Sequence, residues 1–236
     1  MADIGQAIQQ FFSDQGGGAT GESLIGFGTE KVGETRARSP SDWVIPGYLV
    51  MFVFFGAALS AETIVRERQN HTLERLLAGS VRRESILGGI FAGTAAKGLI
   101  QILIFWLLGI LAFNTDLGLS PAAVIILSVL MVIMSSAFAV MLATLVKTER
   151  SAGSIAVLSS LALAPLGGCW WPLFILPKWM QFIARITPHA WANAGFNKLM
   201  LFGADFNAVV PEMIALVGFA AVFLIIGVAR FRTSAA

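Results

Sequence analysis

Long apolar runs alternate with short polar breaks along most of this chain. The runs cover about residues 43–61, 86–113, 121–146, 152–169 and 209–228. Each is close to or above the roughly 20 residues that an α-helix needs to cross a bilayer, so the pattern predicts five spans. Trp43, Pro46 and Tyr48 open the first run at an interface. The second is rich in small residues, Gly88, Gly89, Gly93 and Gly98, which permit close helix packing. The fourth is broken by Pro165 and Gly167-Gly168, and the third, fourth and fifth carry no charge between their ends.

Two stretches break this rhythm. From Trp170 to Gly203 the chain is apolar but punctuated by Pro172, Pro177 and Pro188, so no piece is long enough to cross alone. Pro177 suits the first turn of a helix, with Trp179, Phe182, Ile183 and Ile186 on its apolar side. Thr187-Pro188 ends it, and a second short helix runs to about Phe202. Trp170, Trp171, Trp179 and Trp191 supply an aromatic belt. Two readings fit: a re-entrant helical hairpin, or an interfacial loop.

The other stretch is Glu62 to Arg83, the densest charge in the chain. Leu73, Leu76 and Leu77 recur at helical spacing, with Val81 one turn on, so one side is apolar and the other charged. Asn70 or Thr72 can cap the start, Glu74 then lies where the helix dipole favours an anion, and Gly79 is a natural stop. A short amphipathic helix across the mouth of a bundle and a solvated connecting loop both satisfy this pattern.

Composition places the chain in a membrane. Of its 236 residues 56% are hydrophobic and 13% charged, against about 25% charged in soluble domains. Arg66, Arg68, Arg75, Arg82, Arg83, Lys147, Arg150, Arg230 and Arg232 fall on one side, while the loop from Asn114 to Ser120 has no Lys or Arg. Positive-inside logic makes the first group, and the C-terminus, cytoplasmic. Residues 1–42 are polar, with a weak amphipathic turn at Ile4, Ile8, Phe11 and Phe12, and read as an extracytoplasmic tail.

Candidate chemistry is sparse. One cysteine, Cys169, excludes an internal disulfide, and no Cys/His cluster points to a metal. No stretch matches a phosphate-binding G-x-x-x-x-G-K-[ST] loop, so ATP hydrolysis would have to come from another polypeptide. Glu62 and Lys97 lie near the ends of their spans. An ion-coupled carrier would be expected to place a carboxylate near mid-bilayer.

The connector nonetheless has a recognisable form. A span ending in Glu62, then R-E-R-x-x-x-T-L-E-R-L-L and a basic V-R-R before a Gly-rich span, resembles the permease subunits of type 2 ABC exporters. The later stretch resembles the same family through G-G-x-x-x-P-L, L-P-x-W-x-Q and T-P-x-x-W, which include Gly167, Gly168, Pro172, Pro177, Trp179, Pro188 and Trp191. Departures stand at His71, where a Gly is usual, at Ser80, where a Pro is usual, and at Ile90, where a Lys often follows Gly89.

The resemblance implies an all-α polytopic membrane helix bundle: about five spans, a re-entrant outer hairpin at about 171–203 and a cytoplasmic coupling helix at about 72–78. It covers residues 43–232 and implies that the usual first membrane helix and most of an outer domain are absent. Glu67, Arg68, Thr72, Leu73, Glu74, Arg75, Leu76 and Leu77 then become the residues of an ATPase joint. The leucines would pack between membrane base and ATPase, Glu74 and Arg75 would make polar contacts there, and Glu62, Glu67 and Arg68 would fix the joint to its own bundle. The implied partners are an ABC ATPase subunit, which would bind ATP and Mg, a second permease copy, identical or not, and membrane lipid, with no nucleic acid. The implied activity is export of a drug-like or lipid-like amphiphile. The alternatives are a truncated or regulatory component without transport of its own, and a secondary carrier or channel.

Overall fold

The computed structural model describes residues 41–171 and 173–234, and every regular element among them is helical. In chain order these are α1 Ser41–Gln69, α2 Thr72–Ala78, α3 Arg83–Phe113, α4 Pro121–Leu145, α5 Glu149–Leu166, α6 Lys178–Ala184, α7 Pro188–Met200 and α8 Val210–Ser234. Short 3-10 turns occupy Leu173–Ile175 and Asn207–Val209. The turn expected at Ile4 to Phe12, and the polar tail to residue 40, lie outside the described residues.

Four helical stretches are long and apolar enough to cross a membrane: Val44–Gln69, Glu84–Phe113, Pro121–Leu145 and Asn207–Phe231. The chain is a multi-pass, all-α membrane bundle. The expected span at 152–169 differs from the rest. It forms α5, 18 residues long, but is not one of the four. Glu149, Arg150, Ser151, Ser154, Ser159 and Ser160 dilute its apolar sequence. It still runs antiparallel to α1, with Gly153 against the Glu62 side chain and Cys169, just past its end, against Gly47. The α1 stretch between those contacts is about 22 Å long.

α1 and α4 form the centre. On α1 the buried residues Val50, Phe54, Ala57, Ala58, Ala61 and Val65 recur every three to four positions, so one stripe faces the core along its length. That stripe explains why α1 runs on to Gln69 rather than ending near Ala61: Val65 is still core, and no Gly or Pro intervenes. α4 packs most extensively on α8 and α1. Three of its serines are buried, and Ser128 and Ser135 donate back to the Val124 and Met131 carbonyls at 2.7 and 2.8 Å, which lets a hydroxyl sit in an apolar core.

α3 lies at the periphery. Ile102 and Trp106 face inward, while Ile100, Leu103, Leu108 and Leu111 are exposed. Its glycines also differ from expectation. Gly98 packs against Val132, but Gly88, Gly89 and Gly93 have nothing among the described residues near the position of a Cβ. They face outward rather than serving a contact within the bundle.

Candidate functional site

The charged connector becomes a joint at one end of the bundle. α1 carries Arg66, Arg68 and Gln69 beyond the core to the place where α4 ends and α5 begins. Arg68 donates to the Ala143 carbonyl at 3.0 Å and to the Val146 carbonyl. These belong to the end of α4, whose last carbonyls have no helical partner and whose last turn has no basic residue. Arg66 Nε donates to Glu149 Oε1 at 2.7 Å, and Arg66 also reaches Glu62 at 3.5 Å. Gln69 donates to the Lys147 carbonyl and accepts from the Glu149 amide, both at 3.4 Å. Glu67 points outward, exposed.

Two residues then reverse the chain into α2. The cap differs from expectation: neither Asn70 nor Thr72 caps the helix. His71 occupies that position with φ 57°, and its own side chain makes no cap hydrogen bond. Gly79 ends the helix as expected, but at φ −79°, and the left-handed residue is Ser80 at φ 65°. The Ser80 and Val81 amides donate to the Leu77 and Leu76 carbonyls at 3.2 and 3.3 Å, the paired bonds of a Schellman ending. The two positive-φ residues that flank α2, His71 and Ser80, are two of the positions at which the sequence departs from the Gly and Pro usual in the resembling family. Both would be easier for glycine.

α2 presents two faces. Leu77 packs with Leu87 and Ile90 against Ile86 at the start of α3 and Phe231 near the end of α8. Leu76 and Arg75 are exposed, and Arg75 reaches the Thr72 hydroxyl at 3.5 Å. The three leucines are therefore not equivalent: Leu77 faces the base and Leu76 faces away. The side chains of Leu73 and Glu74 lie outside the described residues.

The prolines and glycines of 165–203 build a cap at the opposite end. α5 ends at Leu166 because Gly167 and Gly168 turn the chain sharply, Gly168 at φ 77°. A Cβ on Gly167 would lie 2.2 Å from that of His189, so only glycine lets α5 and α7 approach this closely. Asn193 clamps the turn by donating to the Gly168 carbonyl. Pro177 stands just before α6, as its N-cap rather than within its first turn. Thr187 caps α7 by accepting from the Ala190 amide at 3.3 Å, with Pro188 at the first helical position. Trp191 donates to the Arg185 carbonyl at 2.7 Å, which ties α7 back to the end of α6. Trp179, Phe182 and Ile186 are exposed, 65–73%. Pro172 lies outside the described residues.

The described residues thus form a joint at one end, a helical hairpin at the other and a bundle between them. The pattern of the ABC-2 family transporter proteins matches residues 4–229. The chain belongs to the ABC-2 family. It is similar to the linearmycin resistance permease protein LnrN of Bacillus subtilis, 31% identical over 186 residues, 79% of this chain and 48% of LnrN. It is similar to the ABC transporter G family member 20 of Dictyostelium discoideum, 27% identical over 70% of this chain and 23% of that protein. The inner membrane transport permease YhhJ of Escherichia coli is 25% identical over 74% of this chain and 47% of YhhJ. The chain thus spans about half the length of LnrN and YhhJ.

Two features of this ABC-2 chain escape sequence reasoning. The last span is not free of charge: Glu212, in the first turn of α8, is 5% exposed and pairs with Lys198 of α7 at 2.8 Å. A carboxylate two residues into a helix is a signal the sequence carried, since the dipole favours an anion there. The other is His189, fully buried, its ring 4.4 Å from Phe54 and, among the described residues, without a hydrogen bond at either nitrogen. Burial pushes its pKa down to about 3. Nothing in its sequence neighbourhood marks it as core.

Proposed function

We propose that this chain is the membrane-spanning subunit of an ATP-driven exporter, with α2 as the helix on which a separate ATPase subunit docks. The observation that carries the reading is the position of α2. It is wedged by Leu77 against α3 and α8 and presents Arg75 and Leu76 outward. Movement imposed on that face would pass into α1 directly and into α4 through Arg68. Basic residues concentrate at this end, which supports placing it, and the C-terminus, on the cytoplasmic side. ATP and Mg would be held by the partner, and a second permease copy would complete the path. The substrate class is a drug-like or lipid-like amphiphile. The absence of charged residues from α4 supports this, as does the resistance named for LnrN.

The test is co-purification with the ABC ATPase encoded beside this chain, comparing wild type with Arg75→Glu plus Leu76→Asp. Both side chains are exposed, so the change costs the fold little. Loss of the ATPase from a variant that still inserts and folds is the expected result. Equal recovery of the ATPase, or no association of the wild type, overturns the docking assignment.

A further inference from the structure

At the hairpin end a cleft of about 380 Å³ opens among α6, α7 and α8, within the usual range of small-molecule sites. Trp191 and Phe202 give it an apolar wall, and Arg185, Asn197, Lys198 and Glu212 give it charge and hydrogen-bonding groups. Asn197 Oδ1 and Glu212 Oε2 are buried and accept from no donor among the described residues. Glu212 is 5% exposed, and only its other oxygen is taken, by Lys198. Lys198 is itself occupied, since it also donates to the Ala208 carbonyl at 3.1 Å. The Arg185 guanidinium is exposed and has no carboxylate partner among the described residues.

These groups define a ligand. Two unpaired acceptors call for a group with several donors, and a primary ammonium has three N–H bonds where a quaternary ammonium has none. Arg185 and Lys198 against Glu212 leave one net positive charge, so the ligand must also carry an anion, and a free guanidinium binds phosphate as a two-pronged donor. Phe202 at the cleft is 68% exposed, and Phe182 and Ile186 of the neighbouring α6 segment are as open, which supplies apolar surface beside the polar pocket.

We propose that this cleft binds an amphiphile headgroup carrying a primary ammonium beside a phosphate, the ammonium on Glu212 and Asn197 and the phosphate on Arg185. The site does not depend on whether the bundle transports, because it is a property of the α6–α8 end alone.

The test is native mass spectrometry of the full chain, released from nanodiscs of equal phosphatidylethanolamine, phosphatidylcholine and phosphatidylglycerol content. Retention of phosphatidylethanolamine about tenfold above the other two is expected, since one charge-assisted hydrogen bond is worth about that factor. Arg185→Gln, at an exposed position, should lower that retention about tenfold. Glu212→Gln should erase the preference over phosphatidylcholine. Displacement by soluble phosphoethanolamine would assign the site to a free headgroup, and resistance to displacement would assign it to the lipid; both support the headgroup chemistry. Equal retention of phosphatidylethanolamine and phosphatidylcholine by the wild type, or retention unchanged in Arg185→Gln, overturns the proposal.

Discussion

Arg68 at the end of α1 donates to the carbonyl of Ala143 in the last turn of α4 at 3.0 Å, and its second nitrogen reaches the Val146 carbonyl. One guanidinium thereby closes the open end of the central helix and fastens α1 to it. Arg66, two residues earlier, makes a shorter-looking partnership with Glu149, but that pair is exposed to solvent, with side-chain exposures of 51% and 35%. The two arginines should behave differently. Arg68→Ala removes charge-assisted bonds from half-buried carbonyls and should cost about 2–3 kcal/mol, while Arg66→Ala should cost far less, because solvent screens its pair. Thermal unfolding of the detergent-solubilised protein measures both. Arg68→Lys should recover only part of the loss, because an ammonium does not span two carbonyls as a fork does.

The glycines divide by surroundings rather than by sequence. Gly167→Ala would place a Cβ 2.2 Å from the His189 Cβ and should displace α7 from α5. Gly93 has open space at that point, so Gly93→Ala should be neutral or stabilise by up to about 1 kcal/mol through helix propensity. Circular dichroism melts of the two variants read the contrast. A mild effect at position 167 would mean that the hairpin does not pack as described.

Ser80 pays a conformational penalty at φ 65°. Ser80→Gly should raise stability by a few tenths to about 1 kcal/mol, the left-handed strain relieved being partly offset by a freer unfolded chain. Ser80→Pro should do the opposite. A proline is fixed near φ −65° and lacks the amide that bonds to Leu77, so the turn after α2 would have to rebuild. Limited proteolysis at the 79–83 turn, compared between the two variants, separates these outcomes.

His189 makes stability depend on pH. Its folded pKa lies near 3, below that of a free imidazole at about 6.5. Below pH 6.5 the unfolded chain therefore binds a proton that the folded one refuses. Stability from this group is complete above about pH 6.5 and falls as the pH drops toward 3. Between pH 7.5 and pH 5 the loss should be about 2 kcal/mol. His189→Phe keeps a ring beside Phe54 and should flatten this part of the profile, which melting at the two pH values would show.

Fold class and most of the element order are legible in the order of residues alone. Apolar runs of membrane length leave only helices as spanning structures, because backbone groups in lipid must be satisfied within their own segment. Proline and glycine placed the hairpin breaks for equally local reasons: Thr187 and Pro188 start a helix, and Gly167 and Gly168 end one. The R-E-R-x-x-x-T-L-E-R-L-L stretch resembled the family to which the chain belongs. Only the tertiary structure decided which side of each element matters. Periodicity grouped Leu76 with Leu77, but packing on Ile86 and Phe231 put just one of them against the base. Spacing made Gly88, Gly89, Gly93 and Gly98 look alike as contacts, but of these four only Gly98 meets a described neighbour. Lys198 and Glu212 lie 14 residues apart in sequence, on two helices whose relative placement no local pattern encodes. Helix formation is a short-range property of the chain, whereas burial and pairing are set by what the rest of the bundle brings alongside.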